Sequence, residues 1–165
     1  MVNTKRLILH LGSNMGDRLA YLTQGFKGLE LEFGKPIGMS QLYETKAWGN
    51  TGQAQFLNRA AIYECNQMPQ TILRKLKDLE LETGRKQRGT WEERELDIDI
   101  IFYESDIINT PNLKIPHGLL HERKFVLVPL NEICPDFIHP ILNKRVAEIL
   151  QHCTDELTVN VWTPN

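Results

Sequence analysis

Apolar positions recur along this chain at two periods, one of two residues and one of three to four. Residues 6–11 form a short, mostly apolar run that stops at Gly12-Ser13-Asn14, which predicts a strand followed by a turn. From Asp17 onward, Leu19, Leu22, Phe26, Leu29 and Phe33 recur at steps of three and four. That is one apolar stripe on a helix, with Asn14 or Asp17 as its cap and Gly34 and Pro36 as its end. Residues 39–45 read as a strand, 46–55 as a polar loop and 56–64 as a second strand. Pro69 opens another helix, in which Ile72, Leu73, Leu76 and Leu79 make the buried face and Gly84 is the stop. A loop dense in charge, 85–95, leads into a strand over 96–103. Beyond it come a Pro116-His117 turn, an apolar run over 125–130, a short helix near 144–152 and a closing strand at 157–162.

The order strand, helix, strand, strand, helix, strand predicts an α+β fold with a ferredoxin-like βαββαβ core, a mainly antiparallel sheet with helices packed on one face. No repeat, low-complexity tract or linker-like stretch interrupts it, so residues 1–165 are expected to form a single domain. Hydrophobic residues at 41% and charged residues at 24% are ordinary globular values and exclude a disordered or fibrous chain. Nineteen basic against twenty-one acidic side chains, a net charge of -2, leave no global field for nucleic acid or an anionic membrane. Cys65, Cys134 and Cys153 have no C-x-x-C spacing and read as reduced thiols. The N-terminal apolar run is too brief for a signal peptide, and no stretch approaches the roughly 20 apolar residues of a membrane span. A cytoplasmic monomer without nucleic-acid or membrane partners is the expectation.

Candidate chemistry centres on Leu96-Asp97-Ile98-Asp99-Ile100. On a strand, residues two apart share a face about 6.6 Å from each other. Asp97 and Asp99 therefore point one way, and Leu96, Ile98 and Ile100 point into the core. Two carboxylates on one face repel unless a cation sits between them; two hard divalent ions about 4 Å apart would suit phosphoryl transfer. A solvated acidic strand face is the plainer alternative for a bare D-x-D. Upstream lies a basic cluster, Arg85, Lys86, Arg88 and Arg94, able to close over phosphates, although Glu92, Glu93 and Glu95 make a simple solvated charge run a competitor. His117, held behind Pro116, is placed either to donate to a phosphate or to face water. His10, His121, His139 and His152 receive no role. Phe56 and Asn58 share a strand face, and Phe125 follows Arg123-Lys124; a flat heteroaromatic ring clasped between the two phenylalanines and read by the amide competes with ordinary core packing.

Taken together, these pieces resemble the 6-hydroxymethyl-7,8-dihydropterin pyrophosphokinase family of folate biosynthesis. The likeness runs from Leu11-Gly12-Ser13-Asn14 through Tyr43-Glu44-Thr45, Gly49, Phe56-Leu57-Asn58 and Gly84-Arg85. It continues through Trp91-x-x-Arg94-x-Leu96-Asp97-Ile98-Asp99, Pro116-His117, Glu122-Arg123-x-Phe125 and Val128-Pro129-Leu130. The spacing from the tryptophan through the arginine to the paired aspartates is its specific part. The resemblance implies transfer of the β,γ-pyrophosphoryl group of ATP to the pterin hydroxymethyl oxygen, with release of AMP. It implies that Asp97 and Asp99 hold two Mg²⁺ ions, and that Arg85 and Arg94 contact the phosphates from a mobile loop that also carries Trp91. His117 and Arg123 would bind the triphosphate, with Glu80, Lys86 and Ile100 on the nucleotide side. Phe56 and Phe125 would sandwich the pterin, and Asn58, Thr45 and Trp48 would read its edge. The sequence departs from the family pattern at Glu92-Glu93, at Lys46-Ala47 and at Gly118; the two added carboxylates are expected to weaken the loop's positive field.

Two other readings share the acidic strand. A palm-type nucleotidyltransferase or cyclase also mounts metal-binding aspartates on a ferredoxin-like sheet, but needs no aromatic clasp, so Phe56, Asn58 and Phe125 discriminate. A non-catalytic ferredoxin-like ligand-binding module would show no Mg²⁺ dependence and would tolerate loss of Asp97 or Asp99.

Overall fold

The computed structural model describes residues 3–49, 52–86, 89 and 92–165. Its central sheet is built in the order β5-β1-β4-β3-β8, where β1 is Lys5–Ser13, β3 Tyr43–Thr45, β4 Phe56–Cys65, β5 Asp97–Tyr103 and β8 Val159–Val161. A two-residue strand, β2 (Gly38–Met39), also pairs with β4, and every pairing is antiparallel. A separate small ribbon joins β6 (Ile108–Asn109) to β7 (Lys114–Ile115). The ferredoxin-like order is therefore present, with β8 added beside β3.

Helix α1 (Arg18–Phe33) starts where the sequence allows. The Asp17 carboxylate accepts from Ala20 N at 3.0 Å, so Asp17 rather than Asn14 is the cap. Helix α2 (Pro69–Glu82) begins at a proline, whose missing N–H is no loss in the first turn. Leu22 and Leu29 of α1 and Ile72 and Leu76 of α2 bury themselves with Leu7, Leu9, Leu11, Ile98 and Ile100 on one face of the sheet. The two helices meet at Gly28, where any Cβ would collide with Leu79. Each such buried leucine or isoleucine stabilises the fold by roughly 1.5–3 kcal/mol.

The opposite face carries a second helical layer, which the expectation of a one-sided core did not include. Helices α3 (Lys124–Ile133) and α4 (Val146–Gln151) cover Ile8, Ala60, Ile62, Ile101 and Phe102. The cause lies in β5. Its register against β1 slips between Ile8 and Leu9, so that Ile101 is an extra residue and both Ile101 and Phe102 face the second layer. The bulge leaves the Ile101 carbonyl to accept the His117 N–H at 3.0 Å, which anchors the histidine turn to the sheet. That turn follows a cis Ile115–Pro116 bond.

The strand expected over 39–45 is broken at Ser40. Ser40 Oγ accepts from Ala60 N at 3.0 Å and its carbonyl accepts from Arg59 Nε at 2.6 Å, so a side chain replaces part of the ladder. The apolar run after Phe125 is helical, with Pro129 inside it.

Candidate active site

The second helical layer does not reach the end of the sheet where β1 leaves and β4 and β5 enter, and a cavity of about 260 Å³ opens there. Antiparallel pairing places directly opposed residues on one face, and two such rows form its floor. Asp97, Gly12 and Asn58 make one row; Asp99, His10 and Ala60 make the next. Gly12 keeps the first row open, since a Cβ there would stand 3.2 Å from Asn58 Oδ1 and 3.3 Å from Phe56 Cδ1. The walls are Thr45 and Phe56, paired across β3 and β4, with Trp48 from the following loop, Arg123 and Phe125 at the head of α3, and His117.

Ten of the residues singled out in the sequence line this one cavity: Thr45, Trp48, Phe56, Asn58, Arg94, Asp97, Asp99, His117, Arg123 and Phe125. Glu80, Arg85 and Lys86 line an adjoining hollow of about 350 Å³ that shares Lys77 and Arg94 with the first. Ile100 is packed against the α1 and α2 side chains on the other face of the sheet and does not line either space. Trp91 and Arg88 lie outside the described residues. His10, Gly12, Gln53 and Lys77, to which the sequence gives no role, also line the main cavity, as does Glu92.

The polar end is a network of opposite charges. Arg85 Nη1 lies 2.6 Å from Glu80 and 2.9 Å from Asp97, and Arg94 Nη1 is 3.4 Å from the same Asp97 oxygen. Glu80 is 2% exposed, and its other oxygen accepts from Ile98 N at 2.9 Å. Burial, and then the nearby Asp97 charge, push its carboxyl above the ordinary range. Asn14 pins the loop by two bonds to Arg94, accepting its N–H at 2.8 Å and donating its own to the Arg94 carbonyl at 3.1 Å. The Asn14 amide also donates to Gln53 and to the Ala54 carbonyl, so one side chain joins the end of β1 to both loops.

Asp99 is pushed up to about 7, first by burial and then by Asp97, with Arg123 and Lys77 opposing. A carboxyl in that setting is short of positive charge. Among the described residues there is no group of three or more histidine, cysteine or acidic side chains able to hold a metal by themselves. Two carboxylates at the end of a cationic cavity fit Mg²⁺, which keeps waters and is shared with substrate phosphates. The residues present therefore suit that ion.

The other end is suited to a flat polar ring. Asn58 Nδ2 donates to Thr45 Oγ1 at 2.8 Å, which leaves Asn58 Oδ1 buried and without a hydrogen-bond partner. Arg123 lies 4.9 Å from the Trp48 ring centroid and 5.8 Å from that of Phe125. His117 Nδ1 accepts from Leu119 N at 3.2 Å, so Nε2 carries its proton. Burial, then Arg123, lower its pKa to about 4, and the ring is neutral.

Carboxylates facing a cationic loop, in a cavity whose far end is aromatic and lined by an amide, define the class of small-molecule phosphoryl-transfer sites. Within that class the chain belongs to the 7,8-dihydro-6-hydroxymethylpterin-pyrophosphokinase (HPPK) family, whose pattern matches residues 8–135. It is 45% identical over 140 residues to the 2-amino-4-hydroxy-6-hydroxymethyldihydropteridine pyrophosphokinase of Aquifex aeolicus, covering 85% of this chain and 87% of that protein. The enzyme of the same name from Methylorubrum extorquens is 37% identical over 134 residues, 81% of this chain and 85% of that one. Among solved structures, wild-type Plasmodium falciparum HPPK-DHPS with pteroate matches with a TM-score of 0.71 at 16% identity, a likeness of fold. The match covers 90% of this chain and 42% of that longer one.

Proposed function

We propose that this chain transfers the β,γ-pyrophosphoryl group of ATP to the hydroxymethyl oxygen of 6-hydroxymethyl-7,8-dihydropterin, giving AMP and the pterin diphosphate, a step of folate biosynthesis and a diphosphotransferase reaction of the EC 2.7.6 class. The observation that carries the reading is one cavity in a member of this family with a carboxylate pair at one end and an aromatic, amide-lined slot at the other.

Asp97 and Asp99 would hold two Mg²⁺ ions, which would supply charge neutralisation and Lewis-acid assistance at the phosphates. Arg85, fixed by Glu80, and Arg94, fixed through its backbone by Asn14, take the phosphate oxygens. Lys86 adds charge on the nucleotide side. His117 donates from Nε2 to a phosphate oxygen, and its neutrality keeps it from competing with the arginines. The pterin ring slides between Phe56 and Phe125, its amine donating to Asn58 Oδ1, with Thr45 and Trp48 at its edge. Held this way, the hydroxymethyl oxygen attacks the β-phosphorus in line, its proton passes to water, the bond from the β-phosphorus to the bridging α-phosphate oxygen breaks to release AMP, and no covalent enzyme intermediate is needed. The aromatic slot favours this over the palm-type reading, which has no use for it.

Among the described residues no helix is long and apolar enough to cross a membrane. Near-balanced charge and the lack of a linker-like stretch support a single catalytic domain acting as a monomer in the cytoplasm, without nucleic-acid or membrane partners.

Purified protein, Mg²⁺, ATP and the dihydropterin are mixed and the nucleotides separated over time. AMP appearing one-for-one with pterin diphosphate is expected. ADP would mean single phosphoryl transfer, and pyrophosphate released without pterin would favour the palm-type chemistry; either overturns the proposal.

A further inference from the structure

We infer that His10 is a positioning residue for the pterin clasp, holding Phe125 by supplying the hydrogen bond that Pro129 denies it. In an α-helix the carbonyl of residue i accepts from the N–H of residue i+4. Phe125 is the second residue of α3 and Pro129 stands four residues on, so the Phe125 carbonyl has no helical donor. The proline ring also crowds that carbonyl. The group that meets it is His10, whose Nε2 lies 3.2 Å from Phe125 O.

A carbonyl only accepts, so Nε2 carries the hydrogen of this contact. The His10 and Phe125 rings also touch edge to face, with centroids 5.7 Å apart and planes at 64°. One side chain therefore fixes both the backbone and the ring of Phe125. His10 is itself immovable: it is 3% exposed, in the middle of β1, between Asp99 on β5 and Ala60 on β4. The head of α3, which also carries Arg123, is thus tied to the centre of the sheet through a histidine on the cavity floor. An orphaned carbonyl beside the slot would otherwise draw water into the place where an aromatic ring has to stack, and it would free the first turn of α3 to fray.

This inference rests on the reading that Phe125 stacks on the pterin, and the experiment separates the two. Dihydropterin affinity in the presence of a non-hydrolysable ATP analogue, and ATP affinity alone, are measured for wild type, His10→Leu, His10→Gln, and His10→Leu combined with Pro129→Ala. His10→Leu is expected to weaken pterin binding about tenfold with ATP affinity within about twofold of wild type. His10→Gln, which keeps an N–H of similar reach, restores most of it. Pro129→Ala, which returns a backbone donor to the Phe125 carbonyl, makes His10→Leu less harmful. Equal losses for both ligands, an unchanged pterin affinity, or no benefit from either rescue overturns the inference. Should the leucine variant fail to fold, the ¹⁵N shifts of the wild-type imidazole decide: Nε2 protonated supports it and Nδ1 protonated overturns it. A wild-type protein that binds no pterin overturns the proposed function instead, and the imidazole measurement then still tests the His10–Phe125 bond.

Discussion

Glu80 and Arg85 form the tightest charged contact at the polar end, 2.6 Å apart, with the carboxylate nearly sealed from solvent beneath α2. The second Glu80 oxygen is taken by the Ile98 N–H, between the two aspartates in sequence. Helix α2, the acidic strand and Arg85 thus share one buried acid. Glu80→Gln should keep the Ile98 contact and the fold but lose the hold on Arg85, which would collapse toward Asp97. The expected result is a fall in kcat of about tenfold or more with little change in melting temperature. Glu80→Ala should cost several degrees as well, because it strips the Ile98 N–H of its partner. Steady-state kinetics and thermal melts of the pair test this, and a kcat equal to wild type in Glu80→Gln would rule it out.

Asn14 positions the second arginine through the main chain. Its two bonds to Arg94 and its amide contacts to Gln53 and Ala54 hold the end of β1 and both loops together. Asn14→Ala is expected to lower kcat by about tenfold while changing the dissociation constants of ATP and pterin by less than threefold, since the ligands' own partners remain. If both affinities drop in proportion to kcat, Asn14 only supports the fold.

How these pieces read in the sequence depends on whether the relevant geometry is local. The period of two in Leu96 to Ile100 places Asp97 and Asp99 on one face without further information, and the structure agrees. The helical stripes over α1 and α2 are equally local, and the residues expected to be buried are buried or packed against the core. Cross-strand register is not local. Nothing within β1 says that His10 will stand beside Asp99 and under Phe125, 115 residues away. The break at Ser40 was invisible for the same reason, since it comes from a side chain reaching β4. Pro129 is a local signal of a different kind, since its missing N–H means that the Phe125 carbonyl needs an outside donor.

Glu92 lines the same cavity as Lys77, Arg94 and Arg123, which gives the departure at Glu92-Glu93 a physical consequence. A carboxylate there weakens attraction for a polyanion, and as an exposed charge its effect is small and screened by salt. Glu92→Gln should tighten ATP binding about two- to threefold at low ionic strength, and the gain should vanish near 1 M salt. A gain that persists in high salt would point to a packing change in place of an electrostatic one.

Asp99 combines burial with a neighbouring carboxylate, so it opposes folding when no cation is bound. Asp99→Asn should abolish turnover at any Mg²⁺ concentration, yet raise the melting temperature of the metal-free protein. Wild type should gain stability on addition of Mg²⁺ and ATP, and the variant should gain much less. A variant that is both inactive and less stable than metal-free wild type would mean the side chain holds the fold and carries no charge burden.

His139 offers a test remote from the cavity. Its Nδ1 accepts the N–H groups of Ile141 and Leu142, each at 3.1 Å, and its ring meets Phe102 edge-on at 5.6 Å. Burial, then the nearby His121, hold its pKa below the ordinary histidine value. The folded protein thus keeps His139 neutral where the unfolded chain already takes up a proton. Its contribution to stability is complete above the unfolded pKa, near 6.5. It is lost as pH falls from there through the lower folded value. His139→Gln should make the decline of unfolding free energy between pH 7 and pH 4 shallower by up to one proton. Urea titrations at several pH values measure that slope for both proteins. Parallel slopes would assign the acid limb to other groups, of which the neutral His10 and His117 are the next in line.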